Sequence, residues 1–166
     1  KVEIPTSIIS HLEFKSGALI DAFFSFDVWK HKKNHIELYG DKGSLNVPDP
    51  NMFGGLLLQC TITGGEWKSI PTSHMNLGKY NIEKNHEKIN EDPTVANYRG
   101  VGVSEMINAI EKGIKNRCSG ELSLHVLDIM DSILESGKSN KKINLRSECE
   151  MPSYFSEEEN STLLKG

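Results

Sequence analysis

The stretch His35-Ile36-Glu37-Leu38-Tyr39-Gly40-Asp41-Lys42-Gly43-Ser44-Leu45-Asn46-Val47 decides the fold of this sequence. A short run with alternating apolar residues leads into Gly40-Asp41-Lys42-Gly43, which is typical of a tight turn, and a second strand-like run leaves it. Pro48-Asp49-Pro50-Asn51 then turns the chain again. The stretch therefore predicts two strands joined as a hairpin.

Further strand signals lie on both sides of this hairpin. Residues 2–14 alternate with a period of two, Lys15-Ser16-Gly17 indicates a turn, and residues 18–28 alternate again. Residues 56–62 and 67–70 predict a fifth and a sixth strand. Six strands joined by short turns predict one large, mainly antiparallel sheet. The core-facing residues of the first two strands are expected to be Val2, Ile4, Ile8, Leu12, Phe14, Ala18, Ile20, Ala22, Phe24, Phe26 and Val28.

The opposite face of the second strand is not purely polar. Leu19, Phe23 and Trp29 alternate there with Asp21, Ser25 and Asp27. Apolar side chains grouped in this way need cover, either from a loop or from another subunit.

Two amphipathic helices are predicted after a long polar loop over residues 71–97. The apolar stripe of the first is Val103, Met106, Ile107, Ile110 and Ile114. The second begins at Ser119 as N-cap, ends at Gly137, and has the stripe Leu122, Val126, Ile129, Met130 and Ile133. Residues 142–145 predict an edge strand. The expected class is α+β, a large mainly antiparallel sheet with helices packed on one face, with residues 1–152 as one domain and residues 153–166 as a loosely ordered acidic tail.

Composition narrows the function classes. The chain has 166 residues, a net charge of −4 and three cysteines with no C-x-x-C pair. These features argue against nucleic-acid binding, a disulfide framework and a zinc ribbon. No signal peptide or long apolar run is present, so we expect a cytoplasmic protein without a membrane partner. The chain begins without methionine, directly in a strand-like run, as a truncated chain would.

Four residues are candidates for ligand contacts. Trp29 ends a strand and is able to stack on a sugar ring, although such a residue more often packs an interface. His31 can touch a ligand hydroxyl or lie in a solvent-exposed loop. Arg99 is suited to grip an anionic or hydroxylated ligand or to form a surface ion pair. His125 borders the apolar stripe of the second helix, as an interfacial histidine or a residue of a cleft.

No catalytic, metal or cofactor site follows from the spacing of residues. His31 and His35 have H-x-x-x-H spacing, but two lysines lie between them and would repel a cation. Gly100-Val101-Gly102 lacks the third glycine of a dinucleotide fingerprint and does not follow a strand. No Ser-His-Asp or Cys-His constellation can be argued from spacing.

Four blocks in order resemble the C-terminal domain of the Gfo/Idh/MocA oxidoreductases. They are residues 12–17 with 25–29, residues 35–55, residues 97–106 and residues 119–130. The resemblance implies a dihydrodipicolinate reductase-like or glyceraldehyde-3-phosphate dehydrogenase-like C-terminal fold. It also implies a parent enzyme that uses NAD or NADP to oxidise a sugar, polyol or related hydroxylated compound.

In this family an N-terminal Rossmann domain binds the dinucleotide and carries a Lys-Pro pair, and this chain has no such pair. The resemblance therefore implies that the catalytic residues lie outside this chain, which is expected to be inactive alone. It further implies a homo-oligomer formed through the open sheet face, with Leu19, Phe23 and Trp29 at the interface. Two alternatives stay open: a stand-alone dimerising module without catalytic activity, and a lyase or isomerase on the same scaffold.

Overall fold

The computed structural model describes residues 2–51, 53–72, 77–78, 98 and 100–163. Contacts divide the chain into a hairpin unit, residues 1–33 with 125–147, and a sheet unit, residues 34–124 with 148–166. The elements are β1 (Ser7–Glu13), β2 (Leu19–Ser25), β3 (Ile36–Gly40), β4 (Gly43–Val47), β5 (Leu57–Cys60), β6 (Lys68–Ile70), α1 (Val101–Lys112), α2 (Gly120–Ser139) and α3 (Glu157–Leu163).

The hairpin unit contains β1 and β2 as an antiparallel pair. Ile8 is opposite Phe24 and Leu12 is opposite Ile20, so these four share one face. Ile9 is opposite Phe23 on the other face. The predicted sharing of faces is confirmed, because every even-numbered residue of β1 pairs with an even-numbered residue of β2. The expectation that this face lies in a core is wrong for most of it, since a separate two-stranded sheet leaves its faces open to solvent. The exposed residues among those expected in the core include Val2, Ile4, Phe14, Ile20, Phe24, Phe26 and Val28.

The sheet unit contains β3, β4, β5 and β6 in sequential antiparallel order. Gly40 is opposite Gly43 at the tight turn, as the opening stretch predicts. Gly43 has a φ of 138°, and a Cβ atom there would lie 2.5 Å from the carbonyl oxygen of Cys60 on β5. Only glycine therefore lets β4 approach β5 at this point.

The expectation of one large sheet is wrong. The described strands form two small sheets, one of two strands and one of four. Residues 26–35 are too many for a tight turn, so no hairpin aligns β2 with β3. The α+β class is confirmed, since both sheets are antiparallel and three helices accompany them in the described part of the chain.

The first predicted helix forms, but it buries a different face. Its buried residues are Val101, Glu105 and Ala109, at i, i+4 and i+8. The predicted apolar stripe stays exposed, and Ile110 has 72% of its surface in contact with solvent. Gly113 ends the helix with a left-handed φ of 62°, which agrees with the predicted end.

The second helix begins as predicted and ends later. The Ser119 hydroxyl accepts a hydrogen bond from the N–H of Leu122 at 3.3 Å, which confirms the N-cap. Gly137 does not stop the helix; α2 continues to Ser139, and Asn140 follows with a left-handed φ of 52°. The edge strand predicted over residues 142–145 is absent from the structure, and this segment is irregular.

The acidic C-terminal region contains a helix that the sequence analysis did not predict. Ser156 and Glu159 form a capping box, in which the Ser156 N–H donates to Glu159 Oε2 at 2.9 Å and the Glu159 N–H donates to Ser156 Oγ at 3.2 Å. Leu163 is buried at the end of α3, and α3 contacts α1. The buried apolar residues of the described chain are Tyr98, Val101, Ala109 and Leu163, all in the sheet unit.

Candidate functional site

Three of the four predicted ligand-contacting residues lie in the hairpin unit. Trp29 is fully exposed after β2, and His31 is exposed in the loop that follows. His125 is half-buried on α2. Arg99 lies outside the described residues. His125 belongs to a polar group with Asp128 and Ser147, which we call the His125 cluster.

The His125 cluster joins α2 to the segment that returns after it. Asp128 Oδ2 accepts three hydrogen bonds at 2.8 Å, from the N–H groups of Arg146 and Ser147 and from the Ser147 hydroxyl. Nδ1 of His125 lies 2.9 Å from the same hydroxyl oxygen. The serine side chain therefore lies between a carboxylate and an imidazole.

The direction of these hydrogen bonds follows from the number of protons available. An ionised carboxylate only accepts, so the single hydroxyl proton of Ser147 goes to Asp128. The hydroxyl oxygen must then accept from His125, which places the imidazole proton on Nδ1. This order differs from a nucleophilic triad, because the histidine does not take the serine proton.

The same contacts favour the ionised form of Asp128. Its pKa lies below the usual value of 3.8, first because the Ser147 hydroxyl donates to it and then because the Ser147 N–H does so. The charge of Arg146 acts in the same direction to a smaller extent. Asp128 is therefore a carboxylate at neutral pH.

Sequence reasoning missed this cluster, although a geometric signal for it exists. An extended segment from Asn140 to Ser147 spans about 23 Å, and the helix from Asp128 to Asn140 spans about 18 Å. A chain that turns at Asn140 and runs back along α2 is therefore long enough for Ser147 to reach Asp128. The left-handed conformation of Asn140 supplies that turn.

Trp29 follows a short segment that is fixed at Asp27. The Asp27 carboxylate accepts hydrogen bonds from the hydroxyls of Ser7 and Thr6, both at 2.6 Å. The Ser7 contact, followed by the Thr6 contact, lowers the pKa of Asp27. These bonds hold the exit of β2 to the start of β1, so the position from which Trp29 projects is set by β1.

The face of the hairpin that carries Ile9, Leu19 and Phe23, which we call the apolar hairpin face, is exposed. Leu19 is 62% exposed and Phe23 is 47% exposed. Lys33 lies over the Phe23 ring with its Nζ 4.9 Å from the centroid. On the same face His11 Nδ1 lies 2.7 Å from Asp21 Oδ1, and Lys142 pairs with Glu13. Polar pairs therefore border an uncovered apolar surface.

A second polar cluster, around Arg117 in the sheet unit, is structural. The guanidinium lies 3.3 Å from Glu105 Oε1 and 2.9 Å from Glu159 Oε1. It also donates to the carbonyl oxygen of Ser153 at 2.8 Å and covers the Phe155 ring at 4.4 Å. Its donors are used in holding the C-terminal segment to α1, so it is not available to a ligand.

Gly100 precedes α1 with no side-chain cap, and open space surrounds the position of a Cβ at Gly100 and at Gly102. Among the residues that the structure places, no group of three or more His, Cys, Asp or Glu residues is arranged to hold a metal ion.

No protein-family model, curated protein or solved structure matches this chain. The resemblance to the Gfo/Idh/MocA C-terminal domain rests on the four sequence blocks. Over the described ranges, no helix has the length and apolar character needed to cross a membrane.

Proposed function

We propose that this chain is the substrate-side and oligomerisation domain of an NAD(P)-dependent oxidoreductase that acts on a sugar, a polyol or a related hydroxylated compound. The parent enzyme would be cytoplasmic, and its fold would be of the dihydrodipicolinate reductase-like or glyceraldehyde-3-phosphate dehydrogenase-like C-terminal type. The four blocks of resemblance support the enzyme class. The exposed apolar hairpin face is the observation that carries the assembly role.

The apolar hairpin face supports an assembly role because a two-stranded hairpin is not stable without a cover. A two-stranded hairpin is only marginally stable in water unless a further strand or helix covers one of its faces. Leu19 and Phe23 remain exposed, and Trp29, four residues after the end of β2, is fully exposed. Apolar side chains grouped on one exposed face are typical of an interface with another protein surface. A second copy of this chain is the partner that the proposal names.

The ligand-contacting residues of the proposal are Trp29, His31, Arg99 and His125. A flat indole suits the apolar face of a sugar ring, and an imidazole suits the hydroxyl groups of the sugar. Since Gly100-Val101-Gly102 lacks the third glycine of a dinucleotide fingerprint, the dinucleotide would bind in the part of the parent enzyme outside this chain. Hydride transfer and its catalytic residues are assigned to that part.

A stand-alone dimerising module is the second candidate, and the same apolar hairpin face favours it. Such a module would need neither a dinucleotide nor His125. A lyase or isomerase on the same scaffold would need the residues around the substrate but would act without net oxidation. The stand-alone module differs from the main proposal in what the natural reading frame would encode upstream of this chain. The lyase or isomerase differs in that it would not reduce a dinucleotide.

The test is to sequence the natural reading frame upstream of Lys1 and to assay the protein it encodes. We expect a strand followed by a glycine-rich turn and a helix, a Lys-Pro pair, and NAD(P)-dependent oxidation of members of a polyol panel by the full-length protein but not by this chain. A start codon near Lys1 would contradict the proposal in favour of the stand-alone module. Turnover of a polyol without reduction of the dinucleotide would favour a lyase or isomerase.

A further inference from the structure

We propose that Nε2 of His125 accepts a hydrogen bond from a hydroxyl-bearing ligand, and that Ser147 and Asp128 are positioning residues that fix the ring for this role. The choice of ligand class rests on the proposed function. The assignment of the imidazole proton to Nδ1 rests only on the geometry of the His125 cluster.

The first step concerns which nitrogen of His125 carries the proton. Neutral imidazole has one N–H, and the contact with Ser147 uses it at Nδ1. Nε2 is then left with a lone pair, and no residue in the described part of the chain is seen to pair with it. An imidazole in this tautomer accepts a hydrogen bond at Nε2 and is unable to donate one there.

The second step concerns why the cluster does more than hold the returning segment. Asp128 already accepts both backbone N–H groups and the Ser147 hydroxyl, so the segment is fastened without His125. The imidazole adds one hydrogen bond to this half-buried network. The specific effect of this hydrogen bond is on the ring of His125, because it fixes both the orientation and the tautomer of the imidazole. Hydrogen-bond partners do the same for histidines that bind metals or take part in catalysis.

The third step concerns what the fixed ring offers to a ligand. A ligand hydroxyl that donates a hydrogen bond to Nε2 keeps its proton, while the Nδ1–H of the same ring donates to Ser147, whose hydroxyl donates to the Asp128 carboxylate. Hydrogen-bonded chains of this kind polarise one another, which strengthens the contact at Nε2.

The ligand class follows from the acceptor character of Nε2. A lone pair binds a donor, and neutral hydroxyl groups are donors, whereas ionised carboxylates and phosphates are acceptors only. A sugar or polyol hydroxyl therefore suits this atom, and an anionic group of the same ligand does not.

The first experiment reads the tautomer by nitrogen NMR of the whole chain at a pH where the imidazole is neutral. We expect His125 in the Nδ1–H form. Ser147→Ala should shift it towards the Nε2–H form that free imidazole prefers, and Ser147→Thr, which keeps a hydroxyl, should restore Nδ1–H. Asp128→Asn, which removes the charge that attracts the Ser147 proton, should also weaken the preference for Nδ1–H. Asp131→Asn, which alters an exposed carboxylate on the same helix, is its matched control and should leave the tautomer unchanged.

The second experiment tests the ligand with sorbitol as the probe and dioxane, an ether without a hydroxyl, as its control. We expect sorbitol to move the Nε2 signal of His125 and dioxane to leave it in place, and we expect Ser147→Ala to abolish the response. An Nε2–H tautomer in the unaltered chain would overturn the role of Ser147 and Asp128. A correct tautomer with no response to sorbitol would overturn the ligand class. Either result is independent of the upstream reading frame and of dinucleotide reduction, which test the proposed function.

Discussion

Replacement of Arg117 by methionine tests how the C-terminal segment is held in the sheet unit. The Glu105 side chain is only 5% exposed, and the Arg117 side chain is 17% exposed. Without the guanidinium, Glu105 Oε1 keeps one described donor, the N–H of residue 117 at 3.1 Å. Removal of one partner from a buried ion pair costs about 3–5 kcal/mol. Since methionine preserves much of the apolar stem, we expect about 3 kcal/mol, the lower end.

The assay is urea unfolding of Arg117→Met, combined with hydrogen exchange of the amides of Glu157–Leu163. We expect faster exchange throughout α3, because the guanidinium also contacts Glu159 and the Ser153 carbonyl. The double variant Glu105→Gln with Arg117→Met should lose less stability than Arg117→Met, since it leaves no unpaired buried charge.

Lys115→Met is the matched control for this experiment. Lys115 is exposed and lies 3.9 Å from Glu121, so its removal should change the free energy of unfolding by less than about 0.5 kcal/mol. A loss below about 1 kcal/mol for Arg117→Met, with unchanged exchange in α3, would refute the assignment of Arg117 as the fastener of the C-terminal segment.

Two further predictions concern a glycine and a carboxylate. Gly43→Ala should destabilise the sheet unit by about 1–3 kcal/mol in urea unfolding, because its Cβ would meet the Cys60 carbonyl and its φ is positive. The matched change Gly137→Ala, inside α2 with nothing near the new Cβ, should stabilise by about 0.5–1 kcal/mol, and an equal effect of both would contradict this account. Glu159 should titrate in NMR near its folded pKa of about 2, because the Ser156 N–H and then Arg117 favour its carboxylate. Its folded pKa is below the ordinary 4.5, so its stabilisation is complete above pH 4.5 and is lost as pH falls towards 2; a titration midpoint near 4.5 would contradict this.

The hairpins were predictable from the sequence because their determinants are local. The pairing of Gly40 with Gly43 follows from the turn between them, and the alternation in residues 7–13 fixes which side chains share a face. The N-cap at Ser119 is likewise a property of a few neighbouring residues. Local signals of this kind depend little on the rest of the fold.

The buried face of α1 was not predictable in the same way. A period of 3.6 residues identifies an apolar stripe, but burial of Glu105 depends on Arg117 and on a C-terminal segment far along the chain. The His125 cluster depends on the path of the chain after Asn140, because this returning segment brings Ser147 to Asp128. The expectation of one large sheet failed because the loop over residues 26–35 does not align β2 with β3.

The apolar hairpin face gives the central claim a direct test. Leu19 and Phe23 are exposed on a hairpin that needs a cover, and the proposal assigns that cover to a second copy. Phe23→Asp places a charge in the middle of this face and should prevent assembly. Ile62→Asp alters another exposed apolar residue, 68% exposed against 47% for Phe23, in the sheet unit and is the matched control.

The measurement is the mass of the purified chain in solution by light scattering over a range of concentrations. The account predicts a dimer or larger assembly for the unaltered chain and for Ile62→Asp, and a monomer for Phe23→Asp. A monomer for the unaltered chain at every concentration, or an assembly that Phe23→Asp leaves intact, would contradict the claim that this face joins subunits.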